Sequence, residues 1–153
     1  MTKRETDESR LYCDIVRQST DGVYVIEQES HKLLYANDAM EVILKQVGIR
    51  DYVGQICYCV LRHRDQPCLD CVAYPPTRVG EAREVYVDFL SKYYSVASYA
   101  IEWQGVPAYV IYLADISEKK RANNEIAHIY NNIPGAVFCC KFDEDWTIIS
   151  AND

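Results

Sequence analysis

Apolar positions along this chain recur with two periods, one near four residues and one of two. Leu11, Tyr12, Ile15 and Val16 share one helical face, which predicts a short amphipathic helix ended by Thr20-Asp21-Gly22. Val23-Tyr24-Val25-Ile26 is β-branched and aromatic and reads as a strand; Lys32-Leu33-Leu34-Tyr35-Ala36 reads as a second, giving a hairpin. Asn37-Asp38 follows at once, and either side chain can accept the free N–H groups of a new helix. Glu41, three residues after Asp38, suggests a capping box. Met40, Val42, Ile43 and Val47 supply that helix's apolar face, and Gly48 can end it in a left-handed conformation. Residues 54–61 read as another short helix.

Residues 62–80 hold Pro67, Pro75 and Pro76 and read as mostly loop. Strict alternation then returns. Residues 84–91 carry Val85, Val87 and Phe89 on one face; residues 94–103 carry Tyr99, Ile101 and Trp103 on one face. Gln104-Gly105 marks a tight turn into an apolar strand over 106–114. A hairpin, short helices and a three-strand meander define an α+β class with a five-stranded antiparallel sheet. Residues 118–133 lack glycine and proline and read as a helix, stopped by Pro134-Gly135.

The end of the chain repeats its start. Asp21-Gly22-Val23-Tyr24 leads to Tyr35-Ala36-Asn37-Asp38, and Pro134-Gly135-Ala136-Val137-Phe138 leads to Ser150-Ala151-Asn152-Asp153. The spacing from glycine to asparagine is two residues longer in the second copy. The expected organisation is an N-terminal helix in 1–20 with a frayed start, a domain over 21–117, a helical linker over 118–133, and the truncated start of a second domain over 134–153.

Composition narrows the function. With 153 residues, 49% of them hydrophobic, the chain is long enough to bury one core. No apolar run approaches membrane-spanning length, and the charged N-terminus lacks the apolar stretch of a signal peptide. A net charge of -7 with no basic block argues against nucleic acid and anionic lipid. No phosphate-binding glycine loop, HExxH or GxSxG motif is present. No nucleophile–base set is visible, so a catalytic role for this stretch is not expected.

Asp21-Gly22-Val23-Tyr24-Val25-Ile26, Leu34-Tyr35-Ala36-Asn37-Asp38-Ala39-Met40, Val53-Gly54-Gln55 and Asp115-Ile116-Ser117-Glu118-Lys119-Lys120 together carry a family likeness. Residues 11–117 resemble a PAS domain throughout. The second copy resembles the start of another, and its Phe142-Asp143-Glu144-Asp145-Trp146 stretch is similar to PAS domains of clostridial diguanylate cyclases. The resemblance implies a non-enzymatic sensory module of a bacterial signalling protein. It implies a five-stranded antiparallel sheet, short helices closing a pocket over one face, and an output helix leaving the last strand. It also implies that the turn at Asp115 and Ser117 couples the sheet to that helix, while residues of these types at a helix start accept backbone N–H bonds.

In the output helix, Ile116, Asn123 and Tyr130 fall at one heptad position, and Lys119, Ile126 and Ile133 at another. The spacing fits a two-stranded coiled coil with a polar residue in its seam, hence a homodimer; a surface helix lying on its own domain is the alternative.

Seven cysteines without an export signal point away from structural disulfides. Cys57-x-Cys59, eight residues, then Cys68-x-x-Cys71 form one constellation. Four thiolates suit zinc or an iron–sulfur cluster, and the CxxC pair alone suits a reversible disulfide. If the first pair is helical, one of its members points away, and Cys57, Cys68 and Cys71 with His63 become the better ligand set. Small core residues are the plainer reading of these thiols. Cys13, Cys139 and Cys140 read as structural.

Gly54-Gln55-Ile56-Cys57 is placed like the flavin-reactive motif of LOV domains, but Ile56 and Tyr58-Cys59-Val60-Leu61 replace its polar neighbours, so flavin is not expected. Haem, with His63 or His31 as axial ligand, is a further option. The sequence therefore predicts a cytoplasmic, dimeric sensory module that binds a small ligand or responds to redox state. It would report to an effector elsewhere in the same protein, a diguanylate cyclase or phosphodiesterase, or a histidine kinase of a two-component system. A ligand-free dimerisation module and a cysteine-based metal or redox switch are the rivals.

Overall fold

The structure, a computed structural model, describes residues 11–69, 71 and 81–151, with the backbone alone at position 89. The expected fraying of residues 1–10, much of the proline-rich loop and the final Asn152-Asp153 lie outside the described residues. The chain divides into two compact units, with the boundary in sequence between Asp115 and Ile116.

The first unit begins with helix α1, whose described part is 11–17. Strands β1 (Gly22–Glu27) and β2 (Leu33–Ala36) form the hairpin. Helices α2 (Asp38–Gln46) and α3 (Cys57–Arg62) follow. Strands β3 (Arg83–Val87), β4 (Lys92–Trp103) and β5 (Val106–Asp115) complete one antiparallel sheet of order β2-β1-β5-β4-β3. The first and last strands are thus neighbours: Gly22 lies opposite Leu113.

β1 is a central strand, and its first five residues are all buried, so its apolar run is continuous rather than alternating. On β4 the buried positions alternate as Tyr94, Val96 and Ser98. The core face of β4 is therefore opposite the one bearing Tyr99, Ile101 and Trp103. Gln104 and Gly105 both take positive φ (50° and 85°), the signature of a hairpin turn whose twist matches its strands. Leu33, Leu44, Val96 and Ile111 are almost completely buried at the centre, each contributing about 1.5–3 kcal/mol by burial.

Several expectations need correction. Of the two cap candidates, Asn37 is the one that caps α2: its Oδ1 accepts from Met40 N at 3.0 Å. Asp38 is the first helical residue and pairs with Arg17 at 3.1 Å. No capping box forms with Glu41, which bonds Tyr52 Oη and Lys45 instead. Val42 is exposed, and Leu44 occupies the core position that the pattern assigned to it. β3 ends at Val87, because 88–90 coil into a 3-10 turn and Ser91 turns left-handed (φ 51°), reversing the chain into β4. The apolar stripe of α1 is not buried: Leu11, Tyr12 and Ile15 are exposed.

The second unit holds helix α4 (Ser117–Asn132) and a two-stranded sheet of β6 (Phe138–Cys140) and β7 (Ile148–Ala151). This hairpin has the pairing pattern of the first. Tyr24 faces Ala36 and Phe138 faces Ala151, and each ladder slips after its second pair, at Val25/Ile26 and at Cys139/Cys140. On that register one of the two additional residues lies in the hairpin loop and the other ahead of β6. Phe138, Phe142, Trp146, Ile148 and Ile149 are exposed. Cys139 is exposed too, as is Cys13 in the first unit, so neither fills a core as read from sequence.

Candidate functional site

The first unit encloses a pocket between its sheet and the helices that follow the hairpin. α3 is hung on the start of β2 by backbone bonds: Leu33 N to Gln55 O at 2.9 Å, Gly54 N to Leu33 O at 2.7 Å, and Cys57 N to His31 O at 2.8 Å. Gly54 makes this possible with φ of 78°, a conformation that side chains disfavour. The suspension turns the Cys57 face of α3 towards the sheet. The floor of the pocket is Tyr24, Ile26, Val85, Val87, Val96 and Leu113. Its walls are Met40 and Ile43 of α2, Val47 just after that helix, and Cys57, Tyr58 and Leu61 of α3. The free space is about 100 Å³, room for a group of the size of one aromatic ring rather than for a drug-sized ligand.

The cysteines separate. Cys57, Cys68 and Cys71 all face this pocket, and Cys59 lies exposed outside it. The helical geometry of α3 is the reason, since positions two apart point to different sides. Burial pushes the Cys57 thiol up to about 12, helped by the nearby Cys71 and Cys68 and opposed by the Tyr58 backbone amide. Cys57 is therefore a protonated, unreactive thiol near neutral pH. Burial likewise raises the Tyr24 phenol, while Arg62 pulls the other way.

His63 does not join the thiols in the pocket wall. It is the left-handed residue (φ 51°) that ends α3, and Arg64 N bonds back to Tyr58 O at 3.0 Å across it. His31 is held beside Tyr58, ring centroids 5.8 Å apart, and Nδ1 contacts Glu29 O at 3.1 Å. Among the described residues, no group of three or more His, Cys, Asp or Glu is arranged to hold a metal ion. Among the described residues, the pocket wall carries no Asp, Glu or His.

Sequence reasoning missed Arg62 and Arg64, which stand at this pocket on either side of the left-handed His63. A positive φ at a non-glycine residue leaves no strong sequence signal. It also underrated Asn37, whose amide makes four bonds. Oδ1 accepts from Val23 N (2.8 Å) and Met40 N (3.0 Å), and Nδ2 donates to Asp21 O (2.9 Å) and Val16 O (3.0 Å).

Asp115 ends β5, and its Oδ2 accepts from Lys92 Nζ at 2.7 Å, tying the last strand to the start of β4. Ser117 is the first residue of α4, with Ile116 at the N-cap position. Asn123 and Ile126 of α4 are exposed, as is Ile133, the residue that follows the helix. Tyr130 is part-buried and donates from its Oη to Val137 O at 3.0 Å. Ile129, not assigned from sequence, is also exposed; with Ala122, Ile126 and Ile133 it makes an apolar stripe stepping by four, three and four.

Residues 10–77 match a family model described as a PAS domain. The solved PAS domain of nitrogen regulation protein NR(II) from Vibrio parahaemolyticus is similar at 18% identity and a TM-score of 0.51, over 69% of this chain and 98% of that one. An RNA-binding Light-Oxygen-Voltage receptor is similar at 13% identity and a TM-score of 0.51, over 79% of this chain and 36% of that one. At these identities the likeness to solved structures is one of fold. No curated protein matches the sequence. The first unit is a PAS domain, in the α+β fold expected. PAS domains are sensory modules of signalling proteins, generally without catalytic activity of their own. No described helix is long and apolar enough to cross a membrane.

Proposed function

We propose that the first unit is a sensor for a small ligand held in the pocket beneath α2 and α3, and that α4 carries its state to an effector in the same protein. One observation supports this reading above the others: all three central strands contribute to the pocket floor. Tyr24 of β1, Val96 of β4 and Leu113 of β5 all face it. An occupant presses on strands whose far ends lead through Asp115 to the helix. Effectors of the diguanylate cyclase, phosphodiesterase or histidine kinase kind, working in the cytoplasm, suit such a helical output. We further read residues 134–151 as the opening hairpin of a second PAS copy, supported by its shared register and shared ladder slip. Dimerisation through the exposed apolar stripe of α4 completes this reading.

A second reading is favoured by the three thiols in the pocket wall. Cys57, Cys68 and Cys71 make a redox or soft-metal response of the same pocket the principal rival, with zinc and an iron–sulfur cluster ahead of haem. A ligand-free dimerisation module is the remaining one.

One preparation tests all three. The chain is purified anaerobically, its absorption spectrum and metal content are measured, and the small molecules released on denaturation are identified by mass spectrometry. A released organic molecule, absent from Val96→Phe protein that is still folded, supports the sensor. Stoichiometric zinc or iron, lost in Cys68→Ser and Cys71→Ser, moves the function to the thiols. A colourless, metal-free protein whose melting temperature no small molecule raises overturns both and leaves the dimerisation module.

A further inference from the structure

We propose that the pocket ligand is a compact organic acid: one anionic group, a carboxylate above all, on an apolar body no larger than about one aromatic ring. This rests on the sensor reading and names the ligand class it leaves open.

Three observations carry it. The first is size and polarity. The interior is apolar side chains and thiols, with about 100 Å³ free, so the occupant's body is small and uncharged. The second is charge. The chain carries a net -7, yet the only charged residues in the described pocket wall are Arg62 and Arg64. The adjoining hollow beyond Ile26 and Cys71 has the opposite character, with Glu27 and Glu29 in its lining. An anion is thus favoured at one opening and repelled at the other.

The third observation is local backbone. Two residues separated by one ordinarily diverge on a helix. Here α3 ends at Arg62, His63 turns left-handed, and the bond from Arg64 N to Tyr58 O folds Arg64 back beside the same opening. Two guanidinium forks at one apolar pocket suit a carboxylate, which accepts paired N–H bonds from arginine. The field of Arg62 reaches inward as far as the Tyr24 phenol, so the charge acts on the pocket and not only on bulk water. The apolar body lies against Val96 and Leu113 and the head group lies at the two arginines.

The test uses the full chain and four probes of one size: benzoate, phenylacetate, neutral benzamide and cationic benzylamine. Affinity is read by calorimetry and by the rise in melting temperature. The expected result is that benzoate or phenylacetate binds about tenfold or more tighter than benzamide, and that benzylamine is weakest. The double variant Arg62→Gln, Arg64→Gln then loses this preference and keeps the benzamide affinity. Its melting temperature without probe, taken in the same run, shows that it is folded; if it is not, the single variants give the same comparison. Benzamide binding as tightly as the acids overturns the proposal and leaves the sensor pocket standing. Failure of all four probes, together with failure of uncharged toluene, overturns the proposal and the sensor reading together.

Discussion

Asn37 and Val23 are bonded twice. Val23 N donates to Asn37 Oδ1 at 2.8 Å, and Asn37 N donates to Val23 O at 2.9 Å. The remaining bonds of the Asn37 amide reach Met40, Asp21 and Val16, so one side chain joins the end of α1, the start of β1 and the first turn of α2. All of its donor and acceptor capacity is used, in a residue only 1% exposed.

Asn37→Ala is expected to cost about 3 kcal/mol, because it strands buried N–H groups and removes a helix cap. Asn37→Asp is the more informative variant. It keeps the acceptor for Val23 and Met40 but sets a carboxylate oxygen against the carbonyls of Asp21 and Val16. Chemical denaturation should place it between wild type and Asn37→Ala, with hydrogen exchange in residues 11–17 accelerated most. Equal stability of all three proteins would show that the amide is not a structural hub.

Alkaline pH should destabilise the first unit. Cys57 titrates near 9 when unfolded and at about 12 when folded, so above pH 9 the unfolded chain gives up a proton that the folded one keeps. The stability is complete below about pH 9 and is lost progressively up to about pH 12. The Tyr24 phenol shifts in the same direction and adds to the loss at higher pH. Melting temperature followed from pH 7 to 10.5 should fall more steeply in wild type than in Cys57→Ala. At pH 7.5, iodoacetamide should alkylate exposed Cys59 well before Cys57, as read by peptide mass spectrometry.

Asp115→Ala should leave the fold intact. Its partner Lys92 is 44% exposed and Asp115 itself 38%, and such surface pairs contribute less than about 1 kcal/mol. The expected loss is of coupling: a bound probe should still raise the melting temperature but no longer alter hydrogen exchange in α4. Persistence of that exchange change would remove Asp115 from the signalling route.

Ile126→Asp should convert a dimer to a monomer in light scattering. Ile126 and Ile129 are 66% and 63% exposed, so the substitution harms no buried packing. A wild-type protein that is monomeric at high concentration would end the coiled-coil proposal.

The strands were the legible part of the sequence, because period-two alternation and the Gln104-Gly105 turn are local signals. What escaped was set by contacts between distant segments. Leu44 rather than Val42 reaches the core because it stands one helical turn beyond buried Met40, whereas Val42 points to another side. β3 stops short because Ser91 turns left-handed, a choice written in no apolar pattern. The thiols were visible as a motif, but their sorting needed α3 to exist as a helix: Cys57 faces inward and Cys59 outward only once that helix hangs from β2. Arg62 and Arg64 were invisible for a similar reason, since their convergence depends on one backbone torsion at His63.

The pairing of Gly22 with Leu113 has a mechanical consequence. The sheet's first and last strands run side by side in opposite directions, so the chain comes into the domain and departs from it through a single port. Such a domain can be spliced into a longer polypeptide like a side-loop on a cable, without prising the flanking segments apart. Any shear between β1 and β5 is therefore delivered at one place to what lies upstream and downstream, and copies strung along one chain are wired in series.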